Sequence, residues 1–127
     1  MEQFVRTEML LGAETMEKLK NAHVAVFGIG GVGGYVAEAL ARSGVGALTL
    51  VDHDTISKSN INRQILATTD TVGMDKAEAA AQRAKAIHPA CDARAIKTFY
   101  LPDTADQFDF TKYDYVVDAI DTVTGKL

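Results

Sequence analysis

An α/β fold, with a mostly parallel sheet and helices on both faces, is what this 127-residue sequence predicts. Three observations carry that prediction. Short, almost wholly apolar segments recur along the chain, and unbroken apolar character marks strands buried on both faces, as parallel sheets require. Helix-patterned stretches separate these segments, as crossover connections demand. A glycine-rich turn, GIGGVGG from Gly28 to Gly34, leads from the first strand straight into the first long helix. That turn makes the expected arrangement Rossmann-like.

The elements follow in order. Residues 7–21 read as one or two short helices with Met9, Leu10, Met16 and Leu19 on one apolar face, and Gly12 breaks the run. His23 to Phe27 is the first strand. Val32 to Ser43 is a helix with Val36, Ala39 and Leu40 inward, stopped by Gly44. Ala47 to Val51 is the second strand and ends in Asp52. Residues 53–74 are polar and irregular, and a connection this long is more often functional than not. Asp75 is placed to cap an alanine-rich helix, Lys76 to Ile87, which His88 and Pro89 end. Ala93 to Phe99 is the third strand, and Asp103 to Phe110 a loop or short helix. Tyr113 to Val117 leads a fourth strand into Asp118 to Asp121, and Thr122 to Leu127 reads as the start of another helix. Residues 1–22 are then a helical arm and 23–127 a set of nucleotide-binding βα units, with the sheet cut off after its fourth strand. The rest of such a domain is expected to lie beyond Leu127.

Bulk composition narrows the partners. With 47% hydrophobic and 24% charged residues, the chain has the balance of one ordinary globular domain. A net charge of −4 argues against a broad electrostatic grip on nucleic acid or on an anionic membrane, while leaving room for an RNA held by a local patch. The single cysteine, Cys91, rules out an internal disulfide and any CxxC zinc pair, and fits a reducing compartment. No apolar run approaches the ~18 residues of a membrane span, so no membrane association is expected and the cytoplasm is the expected compartment.

Chemistry concentrates at the glycine turn. Gly28, Gly30 and Gly33 match GxGxxG: the first for the tight turn, the second for close approach of backbone to phosphate, the third for close packing of helix on strand. The helix starting near Gly31 directs free N–H groups at an anion. Asp52, at the end of the next strand, stands where a carboxylate accepts from a ribose hydroxyl. These features fit a dinucleotide as well as ATP. The following loop, Ser59-Asn60-Ile61-Asn62-Arg63-Gln64, adds amides and a guanidinium, and Lys76 comes thirteen residues after Arg63. Cations at that point suit a triphosphate whose end phosphates leave. Asp121, at the far end of the fourth strand, can offer an oxygen ligand to Mg2+.

The run GIGGVGG, then Asp52-His53-Asp54, SNINRQ, TVGMDK and VVDAIDTV resembles the adenylating family that includes the ThiF and MoeB proteins and the ubiquitin-activating enzymes. The match runs in order over nearly the whole chain. NINRQILATTDTVGMDK, the helix end Ile87 to Cys91, DAIDTVTGKL and the N-terminal Phe4 to Glu8 are most similar to its tRNA-modifying dehydratase branch. The resemblance implies ATP-dependent activation of a carboxylate as an acyl-adenylate with release of pyrophosphate. In that branch the carboxylate belongs to a threonylcarbamoyl group on a tRNA adenosine, which then cyclises with net loss of water. It also implies residue roles: Gly28, Gly30, Gly31 and Gly33 in the nucleotide turn; Asp52 on the ribose with Asp54 and Gln64 beside the nucleotide; Asn60, Arg63 and Lys76 on the triphosphate; Asp121 on Mg2+. Arg6 resembles an arginine that reaches the phosphates of a neighbouring subunit, which implies a homodimer. A sibling branch adenylates the C-terminus of a ubiquitin-like sulfur carrier instead.

Other residues attract no chemistry. Cys91, on a helix-to-strand connection, reads as a structural thiol. His23, His53 and His88 are assigned none, and Asp118 reads as a structural hydrogen-bonding group. The aromatic residues Phe99, Phe108, Phe110, Tyr113 and Tyr115 read as core and rim. Two further readings stay open on the residues alone: a nicotinamide-dependent oxidoreductase built on the same first βαβ, and a fragment that only binds or dimerises.

Overall fold

A computed structural model of the chain describes residues 2–4, 9, 12–98 and 110–119. Its helices are α1 (Ala13–Asn21), α2 (Gly31–Arg42) and α3 (Lys76–Ile87), and its strands β1 (His23–Phe27), β2 (Ala47–Asp52), β3 (Asp92–Lys97) and β4 (Tyr115–Asp118). The sheet has the order β3-β2-β1-β4. Every pairing is parallel, with Val26 opposite both Leu50 and Val117. Arg6, the stretch from Phe99 to Asp109, Asp121 and the expected helix from Thr122 lie outside the described residues.

Strand alternation divides the core. Val24, Val26, Leu48, Leu50 and Ala93 face one way and meet Ala37 and Ala41 of α2 and Ala80, Ala81 and Ala84 of α3. Ala25, Phe27 and Val51 face the other way, with Ile96 and Tyr113 packed against them. Leu48 and Leu50 are fully buried, each contributing about 2 kcal/mol of transfer free energy. Because β1, β2 and β3 step in one direction, right-handed crossovers put α2 and α3 on the same face. Among the described residues no helix covers the opposite face, so the helix layer expected there falls outside them.

Three local expectations need correction. On α2, Val36 and Leu40 pack against the core as expected, but Ala39 is exposed, and the fully buried positions are Gly33, Gly34, Ala37, Glu38 and Ala41. Small residues let the helix axis lie closer to the sheet than a branched face would. Met9 is 80% exposed and contributes nothing to an apolar face. Asp75 occupies the N-cap position of α3 but makes no side-chain cap hydrogen bond. Its carboxylate instead pairs with Lys97 Nζ at 2.9 Å.

One glycine outside the motif also matters. A Cβ on Gly46 would stand 1.8 Å from the Lys20 carbonyl oxygen. The N–H of Gly46 donates to Leu19 at 3.0 Å. Only glycine lets the end of α1 dock against the start of β2.

The two covering helices are tied by charge. Glu38 of α2 is buried and accepts from Arg83 Nε at 3.0 Å and from Arg42 Nη2 at 2.8 Å. The Arg83 hydrogen bonds hold its carboxyl below the ordinary value of 4.5, against the opposing effect of burial and with help from Arg42. The folded value lies below the unfolded one. The stability this creates is therefore complete above about pH 4.5 and fades as pH falls through the folded value. Glu38→Gln is expected to cost about 2 kcal/mol at pH 7. The gap to the unsubstituted protein should close as pH drops below 4.5, as urea unfolding across a pH series will read.

Candidate functional site

The C-terminal ends of β1, β2 and β4 converge on the glycine turn. Gly28 takes φ +92°, a left-handed conformation that side chains disfavour, and donates to Val51 at 2.8 Å. A Cβ on Gly33 would stand 1.6 Å from the Gly28 carbonyl oxygen. The third glycine of the motif is therefore required by the fold itself. At Gly31 an added Cβ meets nothing within 4 Å, and at Gly30 only Gln64 Nε2 at 3.7 Å. The protein's own packing leaves space over these two positions, at the first turn of α2, where backbone N–H groups lack intrahelical partners.

Asp52 secures this corner. One carboxylate oxygen accepts from the Ile29 N–H inside the turn at 2.6 Å, and the other from the Asp54 N–H at 2.7 Å. The second contact spans two residues and forms an Asx turn, which bends the chain sharply as it leaves β2. The sequence placed Asp52 on a ribose. In the structure it is also the fastener of the turn, a role legible only once the turn after β1 and the end of β2 stand side by side.

The loop after β2 returns over α2. A Cβ on Gly34 would touch Ile65 Cγ2 at 3.5 Å and Leu66 Cδ1 at 3.6 Å. A 3-10 turn, Lys58–Asn60, opens this loop. Asn60 is buried, and its side-chain oxygen accepts from the Ser57 N–H at 2.9 Å. Arg63 is exposed, and its guanidinium donates to the Ser59 carbonyl at 2.9 Å and to Asn62 Oδ1 at 3.1 Å. It rests on its own loop instead of reaching toward the glycine turn. Asn60 thus fixes the loop, and Arg63 hangs from it on solvent-accessible hydrogen bonds.

Lys76 reaches the corner by a different route. An isolated antiparallel bridge pairs Thr55 with Asp75, and the Lys76 N–H donates to the Asp54 carbonyl at 3.0 Å. The start of α3 is thereby pinned to the end of β2. Lys76 is 7% exposed and, among the described residues, the only buried lysine. Its ammonium lies 3.9 Å from Asp54 Oδ2, and His53 Nε2 lies 3.1 Å from Asp54 Oδ1. Ligand atoms of Asp52, His53 and Asp54 fall within 4.8 Å of one another. Both Asp52 oxygens already hold backbone donors. On the fourth strand, the Ala119 N–H donates to Phe27 at 2.8 Å, and the Ala119 Cβ would meet a Cβ on Gly33 at 3.4 Å. Asp121, two residues on, is outside the described residues, as is Arg6.

The residues set aside remain structural. Cys91 is buried, and burial pushes its thiol pKa upward, away from reactivity. His23 Nε2 pairs with Thr49 Oγ1 at 2.7 Å. His88 is buried against Phe4, their ring centroids 5.0 Å apart, and burial lowers its pKa. Tyr115 is 70% exposed, on the rim and not in the core. No helix among the described residues is long and apolar enough to cross a membrane.

Comparison with known proteins agrees with this geometry. Residues 4–127 match the ThiF family. The chain is 48% identical over 125 residues to the tRNA threonylcarbamoyladenosine dehydratase of Bacillus subtilis, covering 98% of this chain and 49% of that protein. It is 45% identical over 125 residues to the Escherichia coli protein of the same name, covering 98% of this chain and 47% of the other. The crystal structure of E. coli tRNA N6-threonylcarbamoyladenosine dehydratase, TcdA, in complex with ATP superposes with a TM-score of 0.95, covering 98% of this chain and 51% of that one. The chain spans about half the length of the curated relatives it matches.

The glycines of the turn separate by experiment. Gly33→Ala is expected to cost about 3 kcal/mol or more, since backbone and not a flexible side chain must give way. Gly31→Ala should leave stability within about 1 kcal/mol of the original, because helix propensity favours alanine at an open position. Denaturant titration of the two variants checks the contrast.

Proposed function

This chain belongs to the ThiF family, and from that premise we propose that it supplies the ATP site of an enzyme that adenylates a carboxylate and releases pyrophosphate. The carboxylate proposed is that of a threonylcarbamoyl group on a tRNA adenosine. The single observation that carries the ATP reading is a buried lysine at the same strand ends as an open helix N-terminus. Backbone N–H groups alone suffice for a pyrophosphate bridge. A lysine kept at the edge of the same corner suits a third phosphate and a leaving group that gathers charge.

In this reading the phosphates lie over Gly30 and Gly31, where the fold leaves room. Asp52 holds the ribose while keeping the Ile29 N–H, since each carboxylate oxygen has a second lone pair. Arg63 leaves its loop carbonyl to meet the triphosphate, a cheap exchange because its present bonds are exposed. Asn60 and Gln64 line the same loop, and Lys76 reaches in from the start of α3. Asp121 follows Ala119, which already abuts the turn, and an oxygen ligand there fits Mg2+. Mg2+ would supply charge neutralisation on the pyrophosphate. An oxygen of the substrate carboxylate attacks the α-phosphorus, the bond to the β-phosphate oxygen breaks, and pyrophosphate leaves. The acyl-adenylate is then attacked from within the same threonylcarbamoyl group, AMP departs, and a ring closes with net loss of water.

We further propose a homodimer in which Arg6 of one subunit approaches the phosphates of the other, tRNA as the macromolecular substrate, and the cytoplasm as the compartment. A ubiquitin-like sulfur carrier, whose C-terminal carboxylate would take the same place, is the sibling substrate.

Pyrophosphate exchange into ATP, measured on the intact protein, tests the reading. Arg63→Ala and Lys76→Ala should each lower exchange about a hundredfold or more, the usual size of losing one charge-stabilising contact in a transition state. Unchanged exchange in both variants, or tight NADH binding that ATP does not displace, defeats it.

A further inference from the structure

We propose that Asp54 is a positioning residue: its carboxylate keeps the Lys76 ammonium beside the glycine turn and releases it to the phosphates when ATP binds. This rests on the ATP reading above, and it assigns Asp54 a task other than touching the nucleotide.

A buried ammonium without a partner is costly, so a lysine with a 9% exposed side chain needs an anion nearby. Asp54 is that anion, with Oδ2 at 3.9 Å. The separation exceeds a hydrogen bond. The pair therefore compensates charge without locking the ammonium in one geometry, and the lysine can move without breaking a short bond.

The exposure of the pair is unequal. The Asp54 side chain is 55% exposed against 9% for Lys76. When the ammonium turns to a phosphate, the carboxylate left behind meets water, and its desolvation cost is small. The reverse arrangement, a buried carboxylate and an exposed lysine, would strand a charge inside the protein.

Asp54 itself is well held. Its N–H donates to Asp52 Oδ1 at 2.7 Å, its carbonyl accepts from the Lys76 N–H at 3.0 Å, and His53 Nε2 lies 3.1 Å from its Oδ1. The other oxygen of Asp52 holds the glycine turn through Ile29. Asp54 thus rides on the same carboxylate that fixes the phosphate corner, and Lys76 is referenced to that corner through it. The neighbouring cation Lys97 is taken by Asp75 at 2.9 Å and does not compete for Asp54.

A double-mutant cycle on ATP affinity of the intact protein, read by calorimetry, tests this. Asp54→Asn should weaken ATP binding about tenfold in the original background and less than about twofold in a Lys76→Ala background. The loss should be the same with 3′-deoxy-ATP as with ATP, and Asp54→Glu should recover most of the affinity. Equal losses in both backgrounds, no loss at all, or a loss that disappears with 3′-deoxy-ATP would overturn the proposal, the last by returning Asp54 to the ribose. Should Asp54→Asn not fold, Asp54→Glu decides: affinity near the original supports positioning, and a tenfold loss confined to ATP with its 3′-hydroxyl refutes it. An unsubstituted protein that binds no ATP overturns the underlying reading along with this one, whereas ATP binding without coupling overturns this one alone.

Discussion

The architecture at the strand ends depends on one carboxylate. Asp52 joins the Ile29 N–H of the glycine turn to the Asp54 N–H of the next connection, so the exits of β1 and β2 are held at a fixed spacing. A charged acceptor with two backbone donors forms bonds shorter and stronger than neutral ones. Everything that makes the corner usable is measured from it. The first turn of α2 keeps its direction, the Thr55–Asp75 bridge forms where the chain has been bent, and α3 starts with its lysine already at the edge.

The order and boundaries of the strands and helices were largely legible because their signals are local. β1 falls where an apolar run meets glycine, and α3 covers the residues expected, Lys76 to Ile87, because alanine content and a proline stop agree. The inward face of α2 was less legible. Hydrophobicity pointed to Val36 and Leu40, which do pack on the core, but the fully buried positions are mostly glycine and alanine, whose small size does not register as an apolar stripe. At the site, the glycine pattern announced its place, while the duties of Asp52, Asn60 and Asp54 stayed hidden. Each makes hydrogen bonds or ion pairs with residues that only the fold or a loop turn brings near, such as Ile29 from 23 positions away. The Arg63 guanidinium, lying on Ser59 and Asn62, could not be read from spacing, since spacing does not say which acceptor a long flexible side chain prefers.

Buried polar groups mark where separate elements are tied together. Glu38 joins α2 to α3, Asn60 closes the 3-10 turn that opens the following loop, and Lys76 fixes α3 to the end of β2. Glu38 and Asn60 are hydrogen-bonded, and Lys76 is charge-compensated by Asp54 at 3.9 Å, as burial requires. The apolar core supplies the affinity of the layers for one another. These few polar contacts set their register, which is the property a site assembled from three strand ends needs most.

The position of β1 in the sheet has a consequence for the chain as it is made. β1 is synthesised first among the strands yet lies inside the order β3-β2-β1-β4. One of its edges is satisfied by β2 soon afterwards. The other waits for β4, whose approach is signalled by the Asp114 carboxylate meeting the His23 N–H across 91 positions. At translation rates of about 5–20 residues per second, that edge stands open for roughly 5 to 20 s. During this time an apolar strand with unpaired N–H and C=O groups is a template for any other extended chain. The nascent protein thus passes through a period in which its nucleotide corner is half assembled and its central strand is adhesive.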